Sequence, residues 1–207
     1  MTDTATATPT DGSQRLSLAC SCGKVTGYIT TTKSRNAIRC YCHSCRAYGN
    51  WCRQQHQAPK DNAIDDGGVD ILQVCKKDFV IEPGCETHIQ LAKLNSKTFT
   101  YRFYSACCMT PLCNSNPSVG FVGLVAENLQ TKNNRDRFAP YHLLYSEEAP
   151  DTVDPSLQDV PKASLLKFLY LLVAFLPWRK SADFLPFTME PNYVAEKDGK
   201  EKTTNES

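Results

Sequence analysis

The stretch CYCHSC, residues 40–45, places the thiols of Cys40, Cys42 and Cys45 within six positions. Two further groups occur, Cys20 and Cys22 in LACSCGKV and Cys107 with Cys108 in YSACCMTPLCNS, while Cys52, Cys75, Cys85 and Cys113 are scattered. Zinc binds thiolates at about 2.3 Å in a tetrahedron, so ligating sulfurs stand about 3.8 Å apart. Residues i and i+2 of a strand share a side, and residues i and i+3 meet in a tight knuckle, so both spacings can converge on one ion. The triplet contains both, which predicts three ligands from a single loop and an open fourth place. Four protein ligands mark a structural zinc, and three with an exchangeable fourth mark a catalytic or substrate-binding one. The alternative is that a remote thiol, Cys52 or Cys107, closes the site. Cys20 and Cys22 need partners, and the pair at 107 and 108 is the expected complement, tying the first strand to a late one. Zinc would be the expected cofactor, with two ions per chain.

A zinc with three thiolates carries a net charge of about −1 and is a weak Lewis acid. Soft sulfur ligands suit the capture of another thiol, whose attack on a small aldehyde would give a hydroxymethyl thioether. Thiols add to formaldehyde unaided, so holding the two reactants together supplies most of the acceleration. An anionic thiol such as glutathione would want cations nearby; Arg39, Arg46 and Arg53 bracket the triplet and are the candidate substrate-binding residues. Tyr41 and Tyr48 are candidate proton donors, with core packing as their alternative, and His43 is a candidate donor to a ligating sulfur. His56, His88 and His142 stand apart from the clusters.

These side chains need a scaffold. The segments KVTGYIT, VDILQV, DFVIEP, HIQLAKL and TFTYRFY have strand lengths and strand residues, broken by turn signals such as DDGGV and EPG. They predict a mainly β, antiparallel domain over residues 15–146. The polar segment 147–161 holds three prolines and is expected to be a linker; KASLLKFLYLLVAFLPW follows, with a helix expected over 161–176. At 1.5 Å per residue it would be about 24 Å long, short of the roughly 30 Å hydrocarbon core, so residues 147–195 are expected to pack on the domain without spanning a bilayer. Residues 1–14 have no basic or apolar signal region, and residues 196–207 are charged; both are expected to be disordered tails. The expected compartment is the cytosol, with the nucleus as the alternative. There, metal ligation explains 11 cysteines better than disulfides do. With 23 Lys and Arg against 22 Asp and Glu, no overall positive field draws the chain to nucleic acid, and none is expected as a partner.

The blocks L-A-C-S-C-G-K-V, C-Y-C-H-S-C-R-A-Y-G and R-F-Y-S-A-C-C-M-T-P-L, in this order between Leu16 and Val125, resemble the three cysteine blocks of the glutathione-dependent formaldehyde-activating enzyme and centromere protein V domain family. The resemblance implies a zinc-pinned sheet fold of the β-tent type with two zinc sites. The first and late blocks would hold a structural ion and the middle triplet the ion near substrate. It also implies a carbon-sulfur lyase joining glutathione to formaldehyde, or, on the centromere protein side, a non-catalytic zinc module that binds a partner. Two departures stand out. Tyr41 takes the place of the family's His, with His43 following Cys42, and alignment on T-P-L puts Cys108 on the second late cysteine but Ser105 on the first. The fourth structural ligand is then Cys107, Cys113 or none.

Overall fold

The short apolar runs become strands because their Val, Ile, Leu and aromatic residues alternate between two buried faces. The computed structural model describes residues 15–30, 36–55, 67–130, 138, 141–149 and 188–194. Three strands, β1 (Leu16–Ala19), β2 (Thr26–Ile29) and β5 (Phe79–Ile81), form a small antiparallel sheet in the order β1-β2-β5. The larger sheet contains β3 (Asn36–Cys40), β4 (Val69–Cys75), β6 (Ile89–Lys93), β7 (Tyr101–Ser105), β8 (Pro111–Ser115), β9 (Phe121–Val125), β10 (His142–Leu144) and β11 (Asn192–Tyr193). Its order is β10-β3-β4-β9-β8-β7-β6-β11. The interior pairs are antiparallel, but both edge strands are parallel additions, β10 on β3 and β11 on β6. The architecture is mainly β with open sheets.

One core joins the two sheets. Leu16, Leu18, Ile29, Phe79 and Ile81 from the small sheet pack with residues of the large one, including Leu72, Leu91, Phe103 and Leu124. Gly27 on β2 is required there, since a Cβ would strike the Val80 carbonyl oxygen. The opposite face of the large sheet is covered by α1 (His43–Gln55), the α-helix of the described residues. Its buried residues, Cys45, Tyr48, Gly49 and Cys52, fall at i, i+3, i+4 and i+7, one helical stripe. Tyr48 donates its hydroxyl to the Phe103 carbonyl at 3.1 Å, and Trp51 meets Tyr104 edge-on at 5.2 Å, which seats the helix on β7.

The expected tails at 1–14 and 196–207 and the expected helix at 161–176 lie outside the described residues, as does most of the expected linker. No described helix is long and apolar enough to cross a membrane.

Candidate metal centres

The triplet sits where β3 ends and α1 begins. Cys40 is the last residue of β3, Cys42 precedes the helix, and Cys45 lies in its first turn; the Cys42 carbonyl accepts from the amides of Cys45 at 3.0 Å and Arg46 at 3.2 Å. The single loop expected for these ligands is therefore a strand-to-helix junction. The three sulfurs lie within 4.8 Å of one another, and among the described residues no fourth His, Cys, Asp or Glu joins them. Cys40 and Cys45 are buried and Cys42 is half-buried, so access is from the Cys42 side. Hydrogen bonding from Cys40, then from Cys45, holds the Cys42 thiol well below the usual range, while Cys40 is pushed up by the same sharing.

The second cluster is drawn from two distant turns. Cys20 and Cys22 follow β1, and Cys107 and Cys108 lie in the turn from β7 to β8; all four sulfurs lie within 4.8 Å of one another. Cys20 to Cys22 is 3.6 Å, Cys20 to Cys107 is 3.9 Å, Cys22 to Cys107 is 3.3 Å and Cys107 to Cys108 is 4.0 Å. These are close to the edge of a tetrahedral thiolate cage. The adjacent cysteines both reach it because Met109, just after them, takes a left-handed backbone (φ 53°) that tightens the turn. Cys113 does not join: it is buried on β8, beside Tyr48 and Cys45.

Polar groups around the four sulfurs already face charge. Burial raises the Cys108 thiol, but hydroxyls of Ser105 and Thr110, each 3.1 Å away, outweigh it and hold the value down at about 5. Thr110 is oriented in turn by the Ser21 amide at 3.1 Å and by the Ser21 hydroxyl. The Val25 amide donates to the Cys20 sulfur at 3.3 Å. The donor sets fit a soft divalent metal at both clusters: all-sulfur, convergent, and supplied with hydrogen-bond donors. Both clusters could hold a metal ion.

The arginines expected to receive an anionic thiol are dispersed. Arg39 pairs with Asp70, directly across from it on β4, at 2.9 and 3.3 Å. Strand alternation places it on the opposite face of β3 from its neighbour Cys40. Arg46 is ion-paired with Glu148 at 3.1 Å, and Arg53 donates to Asn50 on the outer side of α1. Tyr41 is fully buried and Tyr48 is committed to the Phe103 carbonyl, so the core-packing alternative describes both. His43 and His142 are exposed and His88 is half-buried, while His56 lies outside the described residues.

Two residues that the sequence did not single out border the triplet. Arg102 of β7, only 5% exposed, places both terminal nitrogens 3.9 Å from the Cys45 sulfur and donates to Ser44 Oγ at 2.6 Å. Its guanidinium lies 5.3 Å from the centre of the Tyr48 ring. Tyr145 follows β10, is exposed, and holds a left-handed backbone (φ 59°). It directly follows Leu144, which pairs with Cys40 across β10 and β3, and partial burial, then the charges of Cys42 and Cys40, raise its phenol.

A comparison with curated proteins finds no match. A similar solved structure is the crystal structure of a Rhodobacter sphaeroides protein, 19% identical, covering 62% of this chain and 100% of that one with a TM-score of 0.42. The model of the Family of unknown function (DUF6151) matches residues 12–145, which contain both thiol clusters and all but the last strand of the large sheet. The chain belongs to that family.

Proposed function

We propose that the triplet holds zinc and takes a small thiol such as glutathione in its fourth place, for addition to a small aldehyde such as formaldehyde. This is a carbon-sulfur lyase activity of the formaldehyde-activating type. The observation that carries the reading is the set of three convergent sulfurs with no fourth donor among the described residues and one half-buried member facing out. The ordered likeness of the three cysteine blocks to the formaldehyde-activating and centromere protein V domain family supports the same reading.

Cys40, Cys42 and Cys45 would hold the ion; when bound, it supplies a soft acceptor that keeps an incoming thiol deprotonated near neutral pH. The chain's own residues do the rest. Cys42 leaves the entrance open, and the N-terminus of α1 favours negative charge on sulfur. Arg102 offsets thiolate charge from below. The thiolate sulfur forms a bond to the carbonyl carbon, the carbonyl π pair moves to oxygen, and that oxygen takes one proton. Tyr145, exposed and next to the Leu144 that pairs with Cys40, would donate that proton or pass it from water. Aldehyde and thiol react readily once adjacent, so positioning outweighs acid catalysis here.

The four-thiol cluster would hold a second, structural zinc, pinning a β-tent type sheet with the segment 161–176 as a helix packed on it. The compartment on this reading is the cytosol or nucleus, where thiols remain reduced. The test is exchange between glutathione and its formaldehyde adduct, followed by NMR, with Cys42→Ser as the control. A rate at least tenfold above the uncatalysed one, lost in Cys42→Ser, is the expected result. Two bound ions with no rate above background would instead favour a non-catalytic zinc module that binds a partner.

A further inference from the structure

A buried guanidinium demands a counter-charge, because the cost of leaving a cation unpaired in a protein interior is large. Arg102 has no carboxylate to answer it: among the described residues its contacts are the neutral Ser44 hydroxyl, the Tyr48 ring and the Cys45 sulfur. Among the described residues its Nε is buried without a hydrogen-bond partner. The surroundings are poor in polarity. Cys45, Tyr48, Val69, Ile71 and Cys113 line a cavity beside Arg102 with room for about one water molecule, and the neutral Asn114, across from Arg102 on β8, is the other polar side chain there. Charge acts strongly in such a place.

We propose that Arg102 is the positioning counter-ion of the three-thiol centre and sets its preference for an anionic fourth ligand. This rests on the metal and thiol reading given above. A divalent ion with three thiolates carries about −1, and Arg102 brings the sum to about zero. A fourth thiolate then returns it to about −1, where without Arg102 it would reach about −2. A neutral fourth ligand adds nothing in either case. Arg102 therefore discriminates by ligand charge, and does so without touching the ligand.

Cobalt(II) reports each site through its thiolate absorption, and the four-thiol centre of the same chain serves as an internal measure of folding. The full-length protein, Arg102→Gln, Arg102→Lys and Ser44→Ala are loaded with cobalt and titrated with 2-mercaptoethanol and, separately, imidazole. Arg102→Gln is expected to weaken the thiol at least tenfold while imidazole changes less than threefold, and Arg102→Lys to restore most of the loss. Ser44→Ala, which frees the guanidinium but keeps it, gives a smaller shift in the same direction and serves if Arg102→Gln fails to fold. A change of less than threefold for the thiol, or an equal loss for both ligands, overturns the proposal. If the wild-type triplet binds cobalt but no thiol, the functional reading falls, and Arg102 is judged on metal alone. A tenfold loss of cobalt affinity at the triplet in Arg102→Gln, with the four-thiol centre unchanged, supports the counter-ion role, and equal affinity overturns it. A wild-type triplet that takes no cobalt overturns both.

Discussion

Both terminal nitrogens of Arg102 stand 3.9 Å from the sulfur of Cys45, 57 residues away in the chain. The contact couples the start of β7 to the first turn of α1. A cationic fork straddling one sulfur gives the triplet an asymmetric environment, with positive charge beneath Cys45 and an outlet beside Cys42. The two clusters therefore differ in kind as well as in thiol number: hydroxyls and amides surround the four-thiol set, and an arginine underlies the three-thiol one.

Metal content should track the two clusters independently. The purified chain is expected to bind two equivalents of zinc, Cys42→Ser one and Cys22→Ser one, measured by elemental analysis after desalting. Cys113→Ala should retain both and lose about 1 kcal/mol of stability through the small cavity left behind. Loss of an ion on Cys113→Ala would return that thiol to the ligand set.

The thiol spacings made the clusters legible: C-x-C and C-x-x-C can converge locally, and Cys107 with Cys108 was the available remote pair. VDILQV, DFVIEP, HIQLAKL and TFTYRFY contain the cores of β4, β5, β6 and β7 because their alternation is strong. Helix α1 was not legible, since its buried stripe is Cys45, Tyr48, Gly49 and Cys52, with no aliphatic residue to mark a helical period. Arg102 was hidden for a related reason. An arginine within a strand reads as solvent-facing, and only the helix laid over β7 makes it an interior cation. Arg39, next to Cys40 in sequence, lies on the other face for want of one residue of register.

The hydroxyls around Cys108 should govern its charge. Its folded value of about 5 lies below the ordinary 9.0, so the unfolded chain binds the extra proton between those values. The stability this group contributes to metal-free protein is complete above about pH 9 and is lost as pH falls through about 5. Thermal melts of chelated protein from pH 5 to pH 9 should show a shallower rise in Thr110→Val than in wild type. The same variant should lose about tenfold in zinc affinity at the four-thiol site. An unchanged slope would remove Thr110 as a donor to the thiolate.

Tyr48→Phe separates packing from catalysis. The lost hydrogen bond to the Phe103 carbonyl should cost about 1 kcal/mol, read as a shift in the denaturant midpoint. The proposed turnover should remain within about twofold of wild type, because the phenol is buried against backbone. A much larger fall in turnover at equal stability would restore the proton-donor role.

Tyr145 should respond in the reverse sense. A bulky residue at φ 59° is strained, and Tyr145→Asn, which tolerates the left-handed region, is expected to gain about 0.5–1 kcal/mol. Addition of thiol to aldehyde should slow, with two ions still bound. A stability loss combined with unchanged turnover would make the phenol a packing residue only.

The four-thiol cluster joins the end of β1 to a turn 85 to 87 residues later, clasping the small sheet to the large one, whereas the triplet spans one strand end and one helical turn. Closing so long a loop restrains the unfolded chain far more than closing a short one. Chelation should therefore proceed in order: the triplet empties first with amide exchange rising only around α1, and the clasp opens last, releasing protection across both sheets together. On the proposed zinc reading, a cell short of that metal would then hold a folded but idle protein, ready to resume work when the metal returns.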